Sequence, residues 1–373
     1  MDTVTFVTAF FQVRKKENNP FWNDKENKHF IHTDVYLDKS KYLLETPIQL
    51  VIFTEPEFLP KIQARRPAHL PTKYIVYDFE DLPLWHLYEK MKENNKKNPI
   101  SNLDPNKFTP LYHLLINHKT IWVQQAIQWN PFQSEYFGWI DFRAFGLSPI
   151  ERTEFMGFKF HSHLVHQMQM AYTSLDEVKN KKEYYKCMRG KVSATFWVGH
   201  HMNLYRFCQL ANQEFIKAVN EFEYSPTEEM VYGVVAAENP SLFHPYFGDY
   251  IDALSNFNAP IRNYYLAINY LNKSYKHGTH YLTHTVASAL QKAYETHRIN
   301  LNTDVLFQIW YKDYVALYWL NRMPEAKNRI QTLLAKCEGN DKLKLYVRHM
   351  KDFIIHNIQY LHDDSLTQLI KNL

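Results

Sequence analysis

Asp141 combines a reactive side chain with a position at the end of an apolar run. It directly follows Tyr136–Ile140, and Arg143 comes two residues later. A carboxylate at the edge of a buried run must be paired, hydrogen-bonded or liganded, because an isolated buried charge is too costly. It can also pair with Arg143, which lies two residues along and so on the same strand face. Asp141 is the first candidate for catalysis or metal binding.

A helix and a strand must position this acid. Thr109 can cap a helix that has Pro110 in its first turn, and the Asn130-Pro131 pair stops it. The run Tyr136–Ile140 is aromatic-rich and uncharged, which predicts a strand buried on both faces. Ligands of open α/β sheets bind beyond the carboxyl ends of the strands. The pattern therefore places Asp141 at the ligand-binding edge of a sheet.

Other apolar runs extend the sheet. Strands are predicted over residues 3–13, 48–53, 73–77 and 194–199, the last ending in a turn, and residues 240–250 are predicted as an aromatic loop. Helical patterns lie between the first runs, which indicates crossover units, a mostly parallel sheet with flanking helices and an α/β fold class. From about residue 258 only helical patterns remain. We therefore predict an α/β domain over residues 1–257 and an all-helical domain over 258–373, in which residues 315–337 resemble half of a tetratricopeptide-type helical hairpin.

Composition narrows the class of protein. Lys and Arg number 43 against 39 acids, a net charge of +4, which argues against a nucleic-acid partner. The nine glycines are never closer than eight residues, so neither a dinucleotide-binding G-x-G-x-x-G turn nor a P-loop is present. Three widely spaced cysteines fit a reducing compartment, and no run reaches the roughly 18 apolar residues of a membrane span. We expect a cytoplasmic protein, with peripheral membrane contact left open and its oligomeric state undefined.

Several segments together resemble the HtrL/YibB family, whose members look like glycosyltransferases of the GT-A type. They are TVTFVTAFF at the start, TPIQLVIFTEPEF, YFGWIDF, and the TEEM, NPSLF and FGDY blocks. The resemblance covers about residues 3–257. It implies a GT-A-like mixed sheet that binds a nucleotide-sugar near the carboxyl ends of its strands.

The resemblance also implies roles for individual residues. Thr8, Ala9 and Phe10 would lie against the nucleotide base, Asp78 would face the nucleoside, and Lys119 would point toward the donor pocket. Asp141 would be the metal- or ribose-binding acid, and Gly199 and the preceding Trp197-Val198 would form the turn beside the donor sugar. Independently of the resemblance, His200 and His201 follow this glycine turn and are candidates for contact with the donor phosphates. Glu228 and Glu229 would stand near the acceptor as catalytic acids, although Met230 replaces the glutamine of the family pattern.

Two of these assignments have competing interpretations. Lys119 could lie on a solvated helix face. Glu228 could form a capping box with Ser225, which would leave Glu229 as the catalytic carboxylate.

A Mn²⁺ or Mg²⁺ ion would be held by Asp141, the phosphates and His244. GT-A enzymes usually carry a second acid two residues after the first, but this chain has Arg143 there. Arg143 could therefore face the phosphates instead of a metal.

The leading hypothesis is an enzyme that moves a sugar from a UDP- or GDP-linked donor to a glycan, lipid or protein acceptor. Its chemistry needs a positive group for the leaving diphosphate and, in an inverting transfer, a carboxylate base for the acceptor hydroxyl. The alternative is a non-catalytic glycan- or partner-binding protein on a degenerate GT-A domain. Arg143 and Met230 favour that alternative. The sequence leaves open the sugar, the acceptor and the stereochemical outcome.

Overall fold

The computed structural model describes residues 4–13, 33–103, 109–160, 162–257, 264–296 and 299–337, together with 345 and 347. Three features of the sequence lie outside this set. They are the basic triplet Arg14, Lys15 and Lys16 after the first predicted strand, the residue His161, and almost all of two further helices that the sequence predicts over 342–359 and 364–372. The chain divides into two compact units, Met1–Asn258 and Ala259–Leu373.

The first unit contains a seven-stranded mixed sheet within the described residues, in the order β3-β2-β1-β4-β6-β5-β7. The strands are β1 Val4–Phe10, β2 Gln49–Thr54, β3 Thr72–Val76, β4 Tyr136–Ile140, β5 Val165–Gln169, β6 Val192–His200 and β7 Phe243–Phe247. Six of them run in one direction and β6 alone runs in the other. The predicted mostly parallel α/β architecture is confirmed. The prediction of a loop over residues 240–250 is wrong, because this segment contains the edge strand β7.

Helices flank this sheet. They are α1 Thr33–Lys39, α2 Lys41–Leu44, α3 Leu59–Gln63, α4 Tyr88–Lys97, α5 Pro110–Trp129, α6 Ala144–Leu147, α7 Arg152–Met156, α8 Leu175–Lys179, α9 Lys181–Tyr184, α10 His201–Asn220 and α11 Glu228–Glu238. Short 3₁₀ turns lie at Phe79–Asp81, Trp85–Leu87, Pro240–Leu242 and Tyr250–Asp252.

Helix α5 begins and ends where its sequence signals predict. The Thr109 hydroxyl accepts a hydrogen bond from the Tyr112 backbone N–H, and Pro110 occupies the first turn. The helix ends at Asn130, whose φ of 37° lies in the left-handed region that asparagine tolerates. These local contacts determine where α5 begins and ends, and its apolar residues Leu111, Leu114 and Trp122 pack into the core.

Strand β4 is buried along its whole length, as its composition predicts. Trp139 belongs to the core on one face of the sheet, which also contains Trp122 of α5, whereas Ile140 belongs to the core on the other face. A Cβ on Gly138 would lie 2.7 Å from the Trp197 carbonyl oxygen, so only glycine fits there. These contacts hold the end of β4, and with it Asp141, in one position.

The second unit is helical throughout its described residues, as predicted. Its helices are α12 Tyr264–Lys276, α13 His280–Glu295, α14 Thr303–Trp319 and α15 Met323–Cys337. The fully buried Asp313 of α14 lies 2.6 Å from His284 of α13 and 2.6 Å from Arg329 of α15. One carboxylate therefore ties three of these helices together.

Candidate functional site

A cavity of about 310 Å³ lies at the carboxyl ends of β1 and β4, against α5. Its walls are mainly aromatic and aliphatic, and the charged residues among them are Lys119, Asp141 and Arg143. The lining residues are Ala9, Phe10, Phe11, Gln12, Val13, Thr33, Tyr36, Tyr112, Leu115, Ile116, Lys119, Trp122, Trp139, Asp141, Phe142, Arg143 and Leu147. An apolar pocket with a few convergent polar groups is the usual form of a small-molecule site.

Lys119 is the centre of a buried ion network. Its Nζ lies 2.8 Å from Asp141 Oδ1 and 2.9 Å from Glu228 Oε1, and it also donates to the Ala194 carbonyl oxygen at 3.3 Å. The residue is 7% exposed, so the interpretation as a solvated helix face is wrong. Burial acts to lower the pKa of Lys119, but Asp141 and Glu228 outweigh it and hold the pKa well above its usual range.

Asp141 is oriented by several contacts. The indole N–H of Trp139 donates to Asp141 Oδ1 at 2.7 Å, and the backbone N–H of Asp141 donates to the Thr195 carbonyl oxygen at 2.9 Å. Among the residues described, its ion-pair partner is Lys119 and not Arg143. The simple Asp141–Arg143 pair that the sequence allowed is therefore absent from this part of the chain.

Glu228 belongs to the same network and not to a capping box. The N-cap of α11 is Thr227, and Glu228 is the first helical residue, with its buried carboxylate on Lys119. The hydroxyl of Ser225 instead donates to the Met91 carbonyl oxygen at 3.3 Å. The Glu228 carboxylate is thus committed to a cation and is a poor candidate for a base.

Glu229 is the carboxyl group best suited to proton transfer. Burial, followed by the neighbouring Glu228 charge, raises the pKa of this half-buried side chain to about 8, against an opposing effect of Lys119. Asp141 also raises this pKa, and a backbone hydrogen bond from Ala194 lowers it. Three carboxyl groups thus share one ammonium, and Glu229 holds the proton near neutral pH. A pKa close to the working pH is favourable for general acid–base catalysis.

We expect Glu229→Gln to become more stable, relative to the unsubstituted protein, as pH rises. The folded pKa of about 8 lies above the unfolded value near 4.5. Between these values the folded state holds a proton that the unfolded state has lost, so stability falls as pH rises, by at most about 1.4 kcal/mol per pH unit. Glutamine removes this loss. Urea unfolding of both proteins at several values between about pH 5 and pH 9, a range that covers most of this window, measures the difference in their free energies of unfolding.

The matched control is Glu221→Gln, an exposed position at the end of α10. A difference between Glu229→Gln and the unsubstituted protein that stays constant across this pH range would contradict the raised pKa of Glu229.

Arg143 presents an unmatched positive charge to the cavity. Its guanidinium lies 4.9 Å from the ring centre of Tyr36, and its Nε is buried without a hydrogen-bond partner. Across the described part of the chain, the Arg143 side chain forms neither an ion pair nor a hydrogen bond. A lining cation without a protein counter-charge is suited to an anionic ligand.

The residues expected at the nucleotide base divide into two groups. Ala9 and Phe10 line the cavity, as does the neighbouring Phe11. Thr8 is fully buried within β1, does not line the cavity, and its hydroxyl has no hydrogen-bond partner among the described residues. Asp78 lies beyond β3, is exposed and does not line the cavity. The geometry thus supports a ligand contact for Ala9 and Phe10 but not for Thr8 or Asp78.

Gly199 and His200 lie at the opposite end of the strands from Asp141. Their expected place beside the donor is therefore wrong. Strand β6 runs antiparallel to β4, so His200 pairs with Tyr136 at the start of β4. Five residues of strand separate that position from Asp141, about 16 Å. Gly199 is not in a turn but within β6, where an added Cβ would lie 3.2 Å from the Leu164 carbonyl oxygen.

His244 is also remote from Asp141. It lies in β7, three strands from β4 in the sheet order, which is about 14 Å. Its register partner is His166 in β5, and the two imidazole centres are 4.8 Å apart. His244 therefore cannot complete a metal site with Asp141 in this arrangement.

The residues around Asp141 do not fit the expected Mn²⁺ or Mg²⁺ ion. These cations need several oxygen ligands. Asp141 Oδ1 already contacts the Lys119 ammonium and the Trp139 indole. Two residues later, where a second acidic ligand would be expected, the chain has Arg143. Within the described ranges, no three His, Cys, Asp or Glu side chains form a group that could hold a metal.

Some lining residues were not identified from the sequence. Trp139 lies two residues before Asp141 and so on the same strand face, a spacing that could have indicated the indole–carboxylate bond. Tyr36 and Tyr112 come from separate helices, and no local pattern marks them as neighbours of the site. Burial, followed by the charges of Glu229 and Asp141, raises the pKa of the partly exposed Tyr250 well above its usual range, so this side chain lies near the same charges without lining the cavity.

No helix in the described ranges is both long and apolar enough to cross a membrane.

Comparisons with known proteins give a relative and a family for this chain. Protein HtrL of Escherichia coli (strain K12) is 27% identical over 151 residues, which are 38% of this chain and 50% of that protein, so the chain spans about half the length of this curated relative. The family described as "Bacterial protein of unknown function (HtrL_YibB)" matches residues 2–259, which include every residue of the cavity and its ion network. Because this match covers more than half of the chain, the protein belongs to the HtrL/YibB family.

Proposed function

We propose that this protein is a cytoplasmic glycosyltransferase on a GT-A-like fold. It moves a sugar from a UDP- or GDP-linked donor to a glycan, lipid or protein acceptor. The observation that carries the proposal is the aromatic cavity at the carboxyl ends of β1 and β4, with an unmatched guanidinium and a lysine-bound carboxylate in its wall. Aromatic surface suits a nucleotide base, and the guanidinium suits a phosphate.

The side chains can divide the work of transfer between them. The aromatic walls bind the base and exclude water, which would otherwise hydrolyse the donor. Arg143 faces the diphosphate. Asp141 is held by Lys119 and Trp139 and accepts hydrogen bonds from hydroxyl groups of the nucleotide-sugar. In an inverting transfer the acceptor oxygen bonds to the anomeric carbon, and the bond to the diphosphate breaks with its electron pair. The acceptor proton then passes to Glu229 in its ionised form, so a pKa of about 8 makes this carboxyl a base only as the pH rises toward that value.

Thermal unfolding with nucleotides tests the proposal. At a ligand concentration about 100 times Kd, UDP or GDP should stabilise the protein by about 2.7 kcal/mol, which corresponds to a Tm rise of about 5–10 °C for a domain of this size. Uridine and guanosine, which lack the phosphates, serve as controls and should give smaller rises. A Tm unchanged by every nucleotide would contradict the proposal.

The alternative is a non-catalytic binding protein. The observation that favours it is the commitment of Asp141 and Glu228 to Lys119, since a structural ion network would show the same contacts. A nucleotide-induced rise in Tm without hydrolysis or transfer from UDP- and GDP-sugars would support a binding role. Release of the nucleoside diphosphate from one donor would support the enzyme.

A further inference from the structure

We infer that this site holds the donor diphosphate without a divalent cation, through the guanidinium of Arg143. The inference rests on the proposed function, because it names the group that binds the leaving phosphates of the proposed donor. It departs from the usual GT-A arrangement, in which paired acids hold a metal ion.

The first step concerns the charge on Asp141. A carboxylate in the cavity wall would repel a diphosphate if it lacked a counter-charge. The Lys119 ammonium lies 2.8 Å from Asp141 Oδ1 and supplies that charge from within the protein. A divalent ion on the same oxygen would lie close to the ammonium, and like charges repel strongly in a buried site. Lys119 therefore takes the place at Asp141 Oδ1 that a metal would otherwise occupy.

The second step concerns the positive charge that remains for the ligand. Of the described residues that line the cavity, only Lys119 and Arg143 are cationic. Lys119 is buried between Asp141 and Glu228, so both of its charged contacts are with the protein. Arg143 has no such partner in the described ranges. It is thus the cation available to phosphate oxygens.

The third step concerns geometry. The Arg143 guanidinium packs at 4.9 Å from the centre of the Tyr36 ring, which restricts its position. A guanidinium offers several N–H donors in a fixed plane and can bind phosphate through two of them. It also occupies the position two residues after Asp141 where the paired acid would stand. Arg143 therefore places a cation where a second carboxylate would be needed to bind a metal ion.

Isothermal titration of UDP and of GDP into the full chain tests the inference. The protein is first stripped with EDTA, then titrated in excess EDTA and again with Mn²⁺. We expect the same Kd in the two conditions for the nucleotide that binds. Arg143→Met should weaken binding by about 10- to 100-fold, and Arg143→Lys should weaken it less. The control is Arg152→Met, because Arg152 also packs over a tyrosine, 4.3 Å from the Tyr42 ring centre, but does not line the cavity.

The outcomes separate this inference from the proposed function. Two results overturn the inference and leave the nucleotide site standing. One is binding that needs Mn²⁺. The other is a Kd for Arg143→Met that lies within about twofold of the Kd for Arg152→Met. Absence of binding by either nucleotide in both conditions overturns the proposed function and this inference with it. Metal-independent binding that is lost only at Arg143 supports both.

Discussion

Replacing Lys119 with methionine should lower the free energy of unfolding by about 3–5 kcal/mol, because it leaves Asp141 and Glu228 charged and uncompensated in a buried site. Methionine has a similar length, so the change removes the ammonium and little volume. The loss is a large fraction of the total stability of a typical domain. Urea unfolding followed by tryptophan fluorescence measures it.

An exposed lysine pair and a double variant separate lost charge compensation from lost packing. Lys97 lies 2.8 Å from Glu223 with its side chain 63% exposed, so Lys97→Met should cost no more than about 1 kcal/mol. Adding Glu228→Gln to Lys119→Met removes one of the uncompensated charges and should restore part of the stability. A loss at Lys119 as small as that at Lys97, or a double variant less stable than Lys119→Met, would contradict the network.

The sequence was sufficient for the elements that local signals define. Helix α5 has its cap, its first-turn proline and its stop within its own residues, and β4 is uniformly apolar because it is buried on both faces. These two elements position Lys119 and Asp141. For the same reason the acid at the end of β4 could be recognised as a site residue before any tertiary contact was known.

Strand direction could not be predicted, because an apolar run has the same composition in either direction. The resemblance implies that the run of β6 ends beside the donor, with Gly199 and His200 at its end. In the fold its first residues are at that edge instead, and its Ala194 and Thr195 carbonyl oxygens contact Lys119 and Asp141. Likewise β7 was missed because Pro245 interrupts its aromatic run, although proline is tolerated there since β7 is an edge strand.

The ion network was hidden for a different reason. Lys119 and Glu228 lie 109 positions apart, and only the packing of α11 near α5 and β6 brings them together. A lysine within a helix is usually solvated, and a glutamate three residues after a serine usually caps, so local rules favoured the wrong partner for each. The family resemblance indicated both residues but not their contact. Buried ion pairs are set by tertiary structure, which local sequence rules do not describe.

Asp141→Asn should lower donor hydrolysis or transfer by about 10²–10³-fold, the usual cost of removing one oriented electrostatic group from an active site. Stability should change little. Asparagine keeps an oxygen that can accept from the Trp139 indole, and Lys119 keeps its contact with Glu228. A loss of rate with Tm within a few degrees would therefore assign Asp141 to the chemistry and not to folding.

The matched control for Asp141→Asn is Asp176→Asn, an exposed aspartate in the first turn of α8. Rates of nucleotide release from UDP- and GDP-sugars are compared for the three proteins, each with and without EDTA. Full activity in Asp141→Asn would remove Asp141 from the site. Because Lys119 already neutralises Asp141, we expect EDTA to leave the unsubstituted rate unchanged. A rate that EDTA abolishes would instead require a cation at Asp141, and Lys119 would then have to move from this carboxylate when the donor binds.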